Sequence, residues 1–441
     1  MKSVLYCMLG ALALASSALG DTAFVAADGS GDYPTIAAAV AALPGGSTIL
    51  LGDGVFSGDG NCGIYLAKSL WIRSESGNAG ACIIDGGGSH YGFYLDDYPN
   101  KLMLYDVTIR NASAFGGGAL YAGSGAQWAI VHGCRFIDNH ASESGGAVYV
   151  AGLERFECVN CEFDGNSASH AGTSIFSIDS PATLWQCSIT GGGNEDSIYP
   201  AVSVDCQTLP CDVRDCTFTD LAGLALGVSG SCEVRGSTFR SCGAAINLVG
   251  TFVAAAVVQD CSFLDCTRYD TVRIGAGGAT AVAVRGCLFA RNVVDSVYPW
   301  RAALQVSYDG IVSGCTFVDN DVDAAIVAWG SDGLRSVLGV ERTLVVRSGD
   351  PILCMGGLQA FAYCCDFQGR WTGCVGGQLG GDGNIDADPL FCSPGAGDYH
   401  LSSLSPCSPD QSGCGLIGAL EVACDVSGVE ARSLSAIKAL Y

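Results

Sequence analysis

Five aromatic residues recur at nearly constant spacing: Tyr65, Tyr94, Tyr121, Tyr149 and Phe176 lie 29, 27, 28 and 27 residues apart. An aromatic ring offers an apolar face, and tyrosine adds a polar rim, a combination that suits a sugar ring. One such residue per turn of a repeating structure would make a ladder with steps of about 4.8 Å. Two readings fit the spacing. The ladder is a stacking platform for a glycan, or it braces neighbouring strands at about 0.2–1 kcal/mol per pair.

The same register continues through Ser203, Ala225, Asn247, Arg273, Gln305 and Val327. Arg273 is the only ionisable member besides the tyrosines, and Asp205 and Asp309 are the carboxylates placed nearest to the register; these three are the candidates for catalysis. A lyase would need a base beside several carboxylates that hold Ca²⁺, and a hydrolase two carboxyl groups about 5–9 Å apart. No run of three Asp builds such a cage on the strands. Asp319, Asp321 and Asp323 share a turn and read as solvated. Asp382-Gly-Asn384-Ile-Asp386-Ala-Asp388 alternates oxygen side chains as Ca²⁺ loops do, but it lacks Gly at the sixth position and an acid at the twelfth, where Ser393 stands. Asp382, Asn384, Asp386 and Asp388 are thus the metal candidates, with a plain closing turn as the alternative, and no other cofactor is expected. The five histidines (90, 132, 140, 170 and 400) show neither zinc spacing nor a triad context.

What positions these residues is a repeat. A strand, a polar residue or Gly, Cys, any residue and Phe return as VHGCRF, CVNCEF, VRDCTF, VQDCSF, VRGCLF and VSGCTF. From Cys134 through Cys161, Cys187, Cys216, Ser237, Cys261 and Cys287 to Cys315 the steps are 27, 26, 29, 21, 24, 26 and 28. Between copies lies a second strand led by small residues, such as GGALYAG and GAAINLV. The segments alternate rather than repeat every 3.6 residues, which excludes a helical solenoid, and the period is too short for a propeller. A coil made only of strands and turns is one rung of a parallel β-helix. The expected fold is all-β, a right-handed parallel β-helix of about a dozen rungs over residues 51–370. A strand and a capping helix over 21–50 cover one end, where Ile36, Val40 and Leu43 share a face. A Cys-rich cap over 371–424 closes the other, followed by a tail over 425–441.

Composition agrees. Among 441 residues, 62 are Gly and only 15% are charged, while 49% are hydrophobic, too many for a disordered chain. A net charge of −23 argues against nucleic acid and anionic lipid as partners. Residues 1–20 read as a secretory leader, with Lys2, an apolar run and Ala18-Leu19-Gly20, and no later run is suited to span a membrane. Export permits disulfides. Cys242 and Cys266 replace the Asn of the recurring Phe-x-x-Asn in consecutive rungs, where Cα atoms about 4.8 Å apart suit a disulfide. Cys242–Cys266 is therefore the leading pair, with Cys62–Cys82 second on the same logic and Cys407–Cys414 a local staple. The Cys-x-Phe cysteines should be free and face inward.

FVAADGSGDYPTIAAAVAALP (24–44) resembles the opening of pectin methylesterases, which share the right-handed β-helix fold. GGALY and GGAVY, with FIDN, FDGN, FARN and FVDN, resemble the paired motifs of chlamydial polymorphic outer-membrane proteins, which are adhesive. DGNIDADPLFCSPGAGDYHLSSLSPC (382–407) is similar to the closing segment of exported bacterial β-helix repeat proteins. The first resemblance does not carry esterase activity with it: Gln259-Asp260 superficially resembles a pectin methylesterase pair, but the same slot holds Arg285-Gly286 and Ser313-Gly314 in sister rungs. The function expected is a non-catalytic secreted or cell-surface rod, an adhesin or glycan binder whose partner is a polysaccharide or a cell-surface glycan or protein, acting as a monomer. The alternative is a polysaccharide lyase or glycoside hydrolase of the pectin-lyase-like group.

Overall fold

The computed structural model describes residues 20–425 apart from 98, 193–198, 251–254, 277–281, 296–299, 308 and 331–335. The leader and the tail, except for residues 20 and 425, lie outside the described residues. The chain is an all-β, right-handed parallel β-helix built from three long sheets, the first two continuous with one another, beside two sheets of three strands each. The first sheet starts at Ile64–Tyr65 and ends at Asp350–Met355, and the second runs from Thr22–Val25 to Gln359–Tyr363. The third holds thirteen strands, Gly54–Ser57 to Asp366–Phe367, close to the dozen rungs the repeat implies. Strands Val202–Arg214 and Leu224–Arg235 run through the bend between the first and second sheets without a break.

The corners explain the repeat. The residue before each Cys-x-Phe must take the left-handed conformation: Asn160, Asp215 and Asp260 have φ of 51°, 53° and 52°, and Gly286 and Gly314 have 60° and 61°. That region is open to Gly and least costly for Asn and Asp among the other residues. A Cβ on Gly286 would also stand 2.3 Å from Asp260 Oδ1. The second corner of the third sheet repeats the device at Asp138, Asp220, Asp265 and Asp319. Gln259-Asp260 is such a corner, a repeat position.

Between the corners the third-sheet phenylalanines point inward and stack. Phe218, Phe239, Phe263, Phe289 and Phe317 follow one another at 4.6, 5.3, 4.7 and 4.5 Å between centroids. Just past the second corner the Asn of Phe-x-x-Asn is buried as well. Asn292 donates from Nδ2 to Phe263 O (3.1 Å) and Asn320 Oδ1 (2.8 Å), while its Oδ1 accepts from Cys266 N (3.0 Å). Such ladders satisfy backbone groups that the turn would leave buried and unpaired. Cys134, Cys161, Cys187, Cys216, Cys261, Cys287 and Cys315 are buried thiols that form no disulfide.

The helix Ile36–Ala42 covers the N-terminal end, with Thr35 accepting from Ala38 N and Ile36, Ala39 and Val40 buried. At the other end Val375 is buried and Trp371 packs on Phe367 at 4.6 Å, so residues 371–375 form the lid. The rest of the Cys-rich segment lies sideways. Tyr399, Leu401, Cys407 and Ile417 bury the outer face of the third sheet at Leu288, Ala290, Val318, Leu344 and Val346.

The disulfides are Cys354–Cys374, Cys364–Cys414 and Cys392–Cys424, all within or into this segment. The three pairs expected from the sequence do not form. Cys242 and Cys266 do share one column, since Phe239 pairs with Phe263, but their thiols occupy the Asn slot as hydrogen-bonding groups. Cys242 Sγ donates to Phe218 O (3.6 Å) as Asn292 does to Phe263 O. Cys82 pairs in register with Gly54, so Cys62, eight residues further on, stands at another point of the coil and gives its thiol to Asp85 O (3.1 Å). Cys414 is taken by Cys364, and Cys407 is buried with its thiol 3.2 Å from Asp366 Oδ2.

Candidate functional site

The outer face of the first sheet carries the aromatic ladder in the expected register: Tyr65, Tyr94, Tyr121, Tyr149 and Phe176 are successive Cα partners. The rings, however, face one another. Tyr94 and Tyr121 are 4.6 Å apart and 7° from parallel, Tyr121 and Tyr149 5.0 Å and 5°, Tyr149 and Phe176 5.3 Å and 26°. A ring whose two faces are covered by its neighbours has only its edge and hydroxyl for a ligand. This geometry disfavours a ring-face platform and favours the bracing role, with Tyr65 the exposed end member at 48%. Its hydroxyl donates to Asp97 Oδ2 at 2.5 Å.

Beyond Phe176 the column continues through Ser203, Gly227, Asn247, Arg273, Gln305 and Val327. Gly227 takes the place expected for Ala225, which is fully buried, because Val202–Arg214 and Leu224–Arg235 pair two residues further along. At Asn247, Arg273 and Gln305 the surface opens into a cleft with two lobes. The larger, about 330 Å³, is lined by Trp300, Gln305, Ser307, Val327 and Trp329, and the smaller, about 260 Å³, by Leu224, Ile246, Asn247 and Tyr269. Asp270 and Arg273 border both.

Asp270 stands on the turn entering strand Val272–Ala276 and is only 8% exposed. Its Oδ1 accepts from Ala302 N (3.2 Å). The Gln305 amide, oriented by its neighbours, donates to Asp270 Oδ2 (2.5 Å) and accepts from Trp329 Nε1 (3.0 Å). Burial pushes the Asp270 carboxyl up to about 6, against the opposing pull of the Ala302 amide and the Arg273 charge. The result is a carboxyl group poised near neutrality, a guanidinium, two amides and indole rings on one concave surface.

The sequence candidates converge only in part. Arg273 is in the cleft. Asp205 lies three rungs away by register, with a buried Oδ1 that has no hydrogen-bond partner among the described residues. Asp309 sits on a turn beyond strand Ala302–Ser307 and accepts from Val337 N (2.6 Å). The three therefore do not form one catalytic cluster. Three of the four calcium candidates bond backbone groups through their side chains. Asn384 is buried, accepting from Cys365 N and donating to Ala362 O and Gln378 O. Asp386 accepts from Gly369 N, Asp388 from Leu390 N, and Asp382 is a left-handed corner at φ 50°. Among the described residues no three His, Cys, Asp or Glu side chains stand close enough to hold a metal ion. Asp321 and Asp323 are ion-paired to Arg301 at 3.3 and 3.0 Å.

Asp270, Trp300 and Trp329 escaped the sequence reading. Asp270 and Trp300 belong to turns just ahead of strands, where the repeat has no fixed register. Trp329 had a usable signal: it lies two residues past Val327, and so faces outward beside it.

Fold and site together define a right-handed β-helix with a polar, aromatic cleft on one exposed sheet. Residues 200–340, which contain the whole cleft, match the family model described as the right handed beta helix region. No curated protein matches the chain. Among solved structures it is similar to a PL6 alginate lyase in complex with a trisaccharide, at 12% identity and a TM-score of 0.50 over 76% of this chain and 82% of that one. It is also similar to the pectate lyase Pel9A, at 14% identity and a TM-score of 0.34 over 91% and 96%. At these identities the likeness concerns the fold alone. No helix among the described residues is long and apolar enough to cross a membrane.

Proposed function

We propose that this protein is an exported, extracellular rod that binds a polysaccharide on its first sheet, with the cleft around Asp270 and Arg273 as the binding site. The observation that carries this reading is the pairing of Trp300, 38% exposed, and Trp329 with Gln305, Asp270 and Arg273 in one concavity. Sugar sites combine an apolar ring surface with a few convergent polar groups, and this cleft has both. Three disulfides in the C-terminal segment fit an oxidising, extracellular setting.

The test is retention of the protein in gels containing dissolved polysaccharides. Aromatic anchors at binding sites are worth about 2 kcal/mol or more, so Trp300→Ala with Trp329→Ala should weaken the best ligand at least about tenfold. Unchanged retention would remove the cleft from consideration. One observation favours a second reading, a polysaccharide-cleaving enzyme: a carboxyl group held near neutrality beside an arginine suits proton transfer. In that case new reducing ends or unsaturated products would appear with the native protein and vanish with Asp270→Asn, which should still bind.

A further inference from the structure

We propose that the polysaccharide held on the first sheet is a neutral one, with neighbouring sugar residues lodged in the two lobes on either side of Asp270 and Arg273. This rests on the reading of the cleft as a glycan site and specifies its ligand.

Charge along the column favours a neutral ligand. From Tyr65 to Leu353 twelve outward positions follow in register, and Arg273 is the only cation among them. Its charge already acts on Asp270, across the wall that both lobes share. The rim of the ladder is acidic instead: Asp97 accepts from Tyr65, and Asp96 faces Tyr94 and Tyr121. A uronate polymer brings a carboxylate on every sugar, so along this column it would meet one cation, with acids at the rim of the ladder, on a chain of net charge −23. Like charges brought together on a low-dielectric surface repel, and nothing along this column offsets the cost.

Two groups in the lobes are acceptors. Asn247 lines the smaller lobe, and its Oδ1 is buried with no hydrogen-bond partner among the described residues. The Asp270 carboxylate is acceptor-only once ionised. Sugar hydroxyls supply hydrogen-bond donors to both; a uronate brings such hydroxyls as well, but adds a carboxylate that neither acceptor can bond.

The experiment compares gel retention of the full chain by galactomannan and mixed-linkage β-glucan with retention by polygalacturonate and alginate, at low salt where repulsion is least screened. Trp300→Ala serves as the control, since an exposed side chain leaves no core cavity and the variant folds. The expected result is retention by at least one neutral polymer, weakened about tenfold or more in the variant, and none by the two uronates. Preferential, Trp300-dependent retention by a uronate would overturn the neutral ligand and leave the glycan site standing. Absence of retention by any polymer would overturn the glycan site itself.

Discussion

Replacing Asp270 by asparagine should stabilise the rod at pH 7 and leave it nearly unchanged at pH 4. Burial raises the carboxyl from an ordinary 3.8 to about 6, so the native state favours the protonated form. Well below pH 4 the group is protonated folded or unfolded and costs nothing, and at pH 4 the cost is still only about 0.5 kcal/mol. As pH rises the unfolded chain ionises first, native stability falls between about 4 and 6, and above 6 the full cost is present. A shift of about two units corresponds to about 3 kcal/mol. Asparagine is neutral throughout and its Oδ1 can still accept from Ala302 N. It repels the Gln305 amide in one orientation, a hydrogen bond worth about 1 kcal/mol, which leaves a net gain of about 2–3 kcal/mol at pH 7. For a chain of this length that is a rise in Tm of about 2–4 °C. Thermal unfolding of both proteins at the two pH values measures it. Equal shifts at pH 4 and pH 7 would show that burial does not control this carboxyl, and a loss confined to pH 7 that Arg273 stabilises the carboxylate more than burial opposes it.

Asp366 is held up to about 6 by burial in the same way, so Asp366→Asn should show the same pH-dependent gain in thermal unfolding, again nearly absent at pH 4. Replacing Tyr94, Tyr121 and Tyr149 together by Ala should cost roughly 1–3 kcal/mol in stability yet keep polysaccharide retention, because their ring faces are spent on one another; retention lost as fully as in Trp300→Ala would restore the ladder as a platform. Asn292→Ala strips partners from buried backbone groups and should cost about 2–5 kcal/mol, whereas Asn292→Cys, the residue already at 242 and 266, should cost clearly less in the same melts. Peptide mapping without reduction should recover Cys354–Cys374, Cys364–Cys414 and Cys392–Cys424, with Cys242 and Cys266 alkylated only after unfolding; a Cys242–Cys266 peptide would show that the column carries a covalent bond.

The spacing of Cys134 through Cys315 and of Tyr65 through Phe176 was enough to read the coil, its rungs, its inward thiols and the aromatic register. In a solenoid each turn contacts only its neighbours, so distance in sequence maps directly onto height along the rod. The capping helix was legible for the same local reason, through Ile36 and Val40. Other features depend on where two remote segments meet. The orientation of the tyrosine rings toward each other rather than toward solvent follows from packing across rungs. Cys414 could find Cys364 only once the closing segment had folded back along the third sheet. Cys62 missed Cys82 because a bend displaced it from its column. The cleft is the clearest case. Asp270 and Trp300 come from turns of different length in adjacent rungs, and a turn has no periodic position from which its side chains can be placed. Their meeting with Gln305 and Trp329, and the burial that lifts the Asp270 carboxyl toward neutrality, exist only when the rungs are stacked.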